Sequence, residues 1–250
     1  MTGLRDDPSD ERGDERAQQL RAALSAVRER IARGCELAGR DPDEVTLVVV
    51  TKYFPAADVL SLHELGVRDF GENRDQEAGE KFAEVRRVLG EPGGDPLTLH
   101  FIGQLQTNKA SHVAAYADVV QSVDRVKLVR ALDRGAHQAD RRLDVLLQVS
   151  LDGDTSRGGV TVEQVDDLAE TVAGAERLTL RGVMAVAPLG ADPDAAFARL
   201  REVADGIRAR HPGAGWVSAG MSGDLEAALR HGATHLRVGT AILGSRPSLL

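Results

Sequence analysis

Lys52 closes the run "VTLVVVTKYFP" (45–55), in which Val45, Leu47, Val48, Val49 and Val50 form an almost unbroken apolar stretch. Such a run reads as a strand buried on both faces. A lysine at its end either marks where the strand surfaces or serves as a reactive amine, because burial favours the neutral, nucleophilic form. Tyr53 and Phe54 follow, and Pro55 stops the segment. Other polar groups gather where later apolar runs finish. They are "GEN" with Glu72 and Asn73; "GQLQTNK" with Gln104, Gln106, Asn108 and Lys109; Ser122; Ser150; "MAVAP"; "SAGMSGD"; and "RVGTAILG".

Two of these motifs suit an anion. "SAGMSGD" brings Ser218, Gly220, Ser222 and Gly223 to the start of the helix-like "DLEAALRHG". Unbonded N–H groups at a helix start attract phosphate, and glycines let the backbone come close. "RVGTAILG" adds Gly239 and Thr240. A capping serine with ordinary turn glycines explains the same residues without a ligand. Arg237 interrupts the apolar "HLRVGTAI", where it either pairs with an acidic residue or faces a ligand. An amine and a phosphate site across one mouth suggest a phosphorylated carbonyl compound held as a Schiff base.

The frame for these residues is an alternation of β-like and helix-like segments. The β-like runs are 45–52, 67–73, 97–104, 117–124, 143–150, 178–187, 215–222 and 234–244. Between them lie amphipathic stretches such as "AADVLSLHELG" and "PDAAFARLREVADGIRAR". Eight such repeats imply an α/β fold closed into a single (β/α)8 TIM barrel, whose chemistry collects at the C-terminal ends of the strands. An open doubly wound sheet is the alternative, but no G-x-G-x-x-G follows the first strand. Residues 1–14 are polar and expected to be a disordered tail, and 15–250 to be the barrel domain. From Glu15 a helix is predicted on the spacing of Leu20, Leu24, Val27 and Ile31.

Composition narrows the function classes. The 250 residues carry a net charge of −8, which suggests no nucleic-acid surface. No apolar run is long enough to span a membrane, and the charged start lacks a secretory segment. One cysteine, Cys35, excludes an intramolecular disulfide and suits the cytoplasm; its place near a helix end predicts a structural role. The seven histidines are scattered, and no metal site is expected.

The motifs taken together resemble the YggS/PROSC family of pyridoxal 5'-phosphate (PLP) homeostasis proteins across residues 15–247. The resemblance rests on "VVVTK", "GVRDFGENRDQEAGEKF", "LHFIGQLQTNK", "VQSVDR", "GVMAVAP", "SAGMSGDLEAAL" and "LRVGTAILGSR" in this order. It implies the fold-type III PLP barrel of alanine racemase without that enzyme's C-terminal β-domain. It also implies that Lys52 forms the Schiff base with PLP and that Asn73 lies beside the cofactor. Arg237 would face the pyridine nitrogen, Ser222, Gly239 and Thr240 would hold the phosphate, and Ser218 is a weaker phosphate candidate. Two departures stand out: "TKYFP" replaces an "SKTKP"-like stretch, and Arg157 in "DTSRGG" stands where relatives often have lysine.

The expected function is non-catalytic PLP binding and homeostasis, with no catalytic residues. A PLP-dependent amino-acid racemase is the alternative, but racemisation generally needs acid–base groups on both cofactor faces. Tyr53 and Tyr116 are the only tyrosines, and neither matches the second role by position. A Schiff-base aldolase fits the barrel and the lysine but not the family. The "GQLQTNK" loop could order water, cap a helix or meet PLP-requiring apo-enzymes. Without the β-domain's dimer surface, a monomer is expected.

Overall fold

The computed structural model describes residues 8–90 and 96–245. A leading helix, α1 (Pro8–Leu37), precedes β1 (Thr46–Val50), α2 (Ala56–Glu64), β2 (Asp69–Glu72), α3 (Asp75–Leu89) and β3 (Thr98–Phe101). Then come α4 (Ala110–Tyr116), β4 (Val119–Val123), α5 (Val126–Gln138), β5 (Leu143–Ser150), the two-residue β6 (Val160–Thr161) and α6 (Val165–Ala173). The chain finishes with β7 (Leu178–Met184), α7 (Pro193–Arg210), β8 (Trp216–Ser218), α8 (Leu225–Arg230), β9 (His235–Val238) and the short α9 (Thr240–Leu243). The strands pair in the order β4-β3-β2-β1-β9-β8-β7-β5-β6, and β4 also pairs with β5, which closes an eight-stranded barrel. Every registered pair is parallel, and β6 adds only to the edge of β5.

All eight expected strands are present, and they make the single TIM barrel read from the alternation. Several boundaries differ: the runs 97–104, 178–187 and 215–222 are strand only over Thr98–Phe101, Leu178–Met184 and Trp216–Ser218. The run 234–244 is strand only to Val238, after which Thr240–Leu243 coil into α9. Helix α1 begins at Pro8, inside the stretch expected to be a tail, and residues 1–7 of that tail lie outside the described residues. Proline tolerates the first helical turn, where its missing N–H has no partner to lose. The inward stripe of α1 is Leu20, Leu24, Val27, Ile31 and Cys35, all buried. Burial also pushes the Cys35 thiol up, in keeping with a packing role. Arg16 ties this helix to Asp58 on α2 at 2.7 Å and to the Leu243 carbonyl of α9 at 3.2 Å.

The main core lies between the outer face of the barrel and the helices, with Phe70, Phe82, Leu99, Val120, Leu147, Leu236 and Val238 among its members. A small cluster of Val119, Leu146 and Met184, with Trp216 against it, packs separately. Such interiors are usually filled by branched apolar side chains. Here His100, Gln121, Ser218, His235 and Arg237 are buried as well.

Candidate functional site

Register decides which strand-end residues meet. Val48 pairs with Arg237, Val50 with Gly71, and Val49 with Val238. Successive side chains on a strand point to opposite faces. Val49, Phe70, Leu236 and Val238 belong to the outer core, so Val48, Val50, Gly71 and Arg237 share the inner face. Lys52, Asn73 and Gly239 follow these strands within two residues, at the C-terminal end of the barrel. A Cβ on Gly71 would lie 3.2 Å from Val48 Cγ1 and 3.3 Å from Val50 Cγ2, and one on Gly239 would lie 3.1 Å from the Val50 carbonyl. Three neighbouring strand ends therefore gather the amine, the amide and the glycine.

Lys52 is half-buried, its Nζ 6.0 Å from the centre of the Tyr53 ring. The chain has four lysines: Lys81 is buried against carboxylates, Lys127 is exposed on α5, and exposed Lys109 lies 3.7 Å from Asp75. Asn73 Oδ1 is buried with no hydrogen-bond donor in reach. Buried acceptors are normally satisfied, so an orphan at a barrel mouth invites a ligand. Gly103 backs this residue closely, since a Cβ there would fall 2.3 Å from the Asn73 carbonyl oxygen.

Arg237 is buried, and its Nη1 donates to Ser218 Oγ at 2.7 Å while Nη2 donates to the Ala185 carbonyl at 2.8 Å. Among the described residues no carboxylate pairs with it. Burial lowers its pKa to about 10, so the guanidinium stays charged at neutral pH. Ser218 Oγ donates onward to Gln121 Oε1 at 2.7 Å, Gln121 Nε2 meets His100 Nδ1 at 2.9 Å, and His100 Nε2 meets Asp69 at 2.9 Å. Arginine only donates and an ionised carboxylate only accepts, so each bond in the chain has one direction and His100 carries its proton on Nε2. His100, Gln121 and Asp69 went unnoticed in sequence reading. His100 and Gln121 sit inside the runs "LTLHFIGQ" and "ADVVQSVD", where nothing separates an inward polar residue from an outward one.

The loop after β8 is tied to β9 by the Arg237 N–H, which donates to the Gly220 carbonyl at 2.9 Å. Ser222 is partly buried, Gly239 partly buried and Thr240 exposed on the loops after these strands. A Cβ on Gly223 would touch nothing within 4 Å, so the loop opens to space. Ser218 differs from the other phosphate candidates: it ends a strand and its hydroxyl is committed to Arg237 and Gln121. Asp224 stands at the start of α8, as the helix-like "DLEAALRHG" implied, and its carboxylate accepts the Met221 N–H at 2.6 Å.

Other strand-end residues are more peripheral. Ser122 Oγ is buried without a partner, whereas Ser150 Oγ donates to Asp152 and to the Asp154 carbonyl. In "GQLQTNK", Gln104, Gln106, Asn108 and Lys109 are exposed, and Gln106 makes no side-chain cap on the turn that follows. Arg125 holds this loop through the Leu105 carbonyl at 2.7 Å. Glu72 points outward from β2 to the buried ammonium of Lys81 at 2.8 Å; burial raises its carboxyl, and Lys81 opposes that rise.

The family described as "Alanine racemase, N-terminal domain" matches residues 22–247. A pyridoxal phosphate homeostasis protein of Mycobacterium tuberculosis (strain H37Rv) is 46% identical over 246 residues, covering 93% of this chain and 95% of that one. One from Escherichia coli (strain K12) is 36% identical over 230 residues, covering 89% and 95%. The structure of PipY from Synechococcus elongatus with PLP bound is similar at a TM-score of 0.74 and 32% identity, covering 90% of this chain and all of that one.

Proposed function

The chain belongs to the pyridoxal phosphate homeostasis protein family, and on that premise we propose that it holds PLP on Lys52 at the barrel mouth and so takes part in PLP homeostasis. The observation that supports the proposal is the register of β1, β2 and β9, whose last pairs, Val50 with Gly71 and Val49 with Val238, stand one or two residues before Lys52, Asn73 and Gly239. When bound, PLP supplies an aldehyde that a neutral amine attacks with loss of one water, so that a lysine holds it as a Schiff base. The residues fit such a group. Lys52 offers the amine, Asn73 Oδ1 offers a buried acceptor without a donor, and the loops carrying Ser222, Gly239 and Thr240 suit a phosphate.

Arg237 governs the chemistry by its charge. A guanidinium that stays cationic would disfavour a second positive charge beside it, so Arg237 would keep a pyridine nitrogen held there unprotonated and its ring a weak electron sink. That supports storage over turnover. Tyr116 donates to Asp75 at 3.2 Å, and burial pushes its phenol above the ordinary range, which weighs against a racemase acid there. The protein works as a cytoplasmic monomer in this reading, and the exposed "GQLQTNK" residues offer apo-enzymes a polar surface. Among the described residues no helix is long and apolar enough to cross a membrane.

The test is uptake. Purified protein mixed with PLP and then desalted is expected to keep about one equivalent of the cofactor and to show a visible band. A colourless product would contradict the proposal.

A further inference from the structure

The backbone around Lys52 is held from outside the barrel. The Phe54 N–H donates to the Thr51 carbonyl at 3.1 Å, which closes a turn over residues 51–54. Tyr53, the third residue of that turn, has φ +71, while Lys52 does not share the positive φ. This is a type II pattern, whose third position ordinarily takes glycine or asparagine. A tyrosine in that conformation is strained and persists only where its surroundings hold it.

The hold comes from α3. Lys81 Nζ donates to the Thr51 carbonyl at 2.9 Å, to Glu72 Oε1 at 2.8 Å and to Glu77 Oε1 at 3.2 Å. Glu77 Oε1 in turn accepts the Tyr53 N–H at 2.5 Å. Thr51 Oγ1 donates to Glu72 Oε1 at 2.7 Å. The residues on both sides of Lys52 are therefore fastened to one ionic cluster. Purely structural duty for the Glu72–Lys81 pair would not require the third member, Glu77, to grip the strained peptide.

We infer that Glu77 and Lys81 are positioning residues for Lys52: they clamp the 51–54 turn in its strained form and thereby aim the amine into the barrel mouth. This rests on the reading that Lys52 holds PLP. Glu77 is only partly buried, so Glu77→Ala is expected to fold and to unfold within a few degrees of wild type. It removes the acceptor of the Tyr53 N–H. Glu77→Gln keeps an oxygen on the same stem.

The experiment follows PLP binding by absorbance titration, together with the pH midpoint of the visible band, for wild type and both variants. Glu77→Ala is expected to weaken binding roughly tenfold and to move the midpoint, while Glu77→Gln stays within about threefold of wild type. Lys81→Met alone would strand the buried Glu72 carboxylate, so Lys81 is tested as Lys81→Met/Glu72→Gln, with the same loss expected. Wild-type affinity and midpoint in Glu77→Ala would overturn the inference and leave Lys52 as the cofactor lysine. Equal losses in Ala and Gln would also overturn it, because a retained acceptor would then not matter. Failure of the wild-type protein to take up PLP would bring down both.

Discussion

Arg237 is a cation inside a barrel, balanced through hydrogen bonds rather than by a neighbouring carboxylate. The chain from Arg237 through Ser218, Gln121 and His100 ends on Asp69, so the charges sit at opposite ends of a directed line. His235 lies beside it, its ring 4.4 Å from Trp216 and 6.1 Å from His100. Burial holds its pKa down at about 3 against an ordinary 6.5. For a base with a lowered folded pKa, the unfolded chain binds the extra proton. Its contribution to stability is therefore complete above pH 6.5 and declines as the pH falls toward 3. Between pH 6 and 4 the wild type should lose about 2 kcal/mol more than His235→Phe, measured from urea midpoints. An identical loss in both proteins would remove His235 from the account. Lys52 and Arg237 were legible in the sequence because a charge inside an apolar run is conspicuous. Gln121 and His100 were not, because their meaning depends on which face of the strand they occupy.

The strands were legible as elements because parallel barrel strands are covered on both faces and read as continuous apolar runs. That same continuity hid their facing. "TLVVV" gives no period, and only pairing with β2 and β9 sorts Val49 outward from Val48 and Val50. It also hid the end of β9, where Gly239 breaks the run and α9 begins. Two consequences belong to this scale. Gly103→Ala would press a methyl onto the Asn73 backbone, so PLP affinity should fall roughly tenfold by absorbance titration, with an unchanged affinity counting against Asn73 as a cofactor neighbour. Helix α1 packs against α8 and α9, and Leu24 is 1% exposed within its stripe. Leu24→Ala should cost about 2–5 kcal/mol in equilibrium unfolding, whereas a loss near zero would show α1 to be dispensable packing.

The whole molecule is a barrel whose outer layer is an ordinary apolar core and whose inner layer is partly polar. Stability and ligand binding are thereby separated: helices and outward side chains hold the fold, while the inward ones stay available at the mouth. A ligand taken up there binds only the folded chain, and PLP at a hundredfold excess over its Kd should add about 2.7 kcal/mol to stability. The central claim is narrower, that one lysine of four carries the cofactor, and borohydride reduction followed by peptide mapping tests it most directly. With PLP present, the reduced adduct is expected on the peptide containing Lys52, and Lys52→Ala should yield none. An adduct on Lys81, Lys109 or Lys127, or one that survives in Lys52→Ala, would contradict the account.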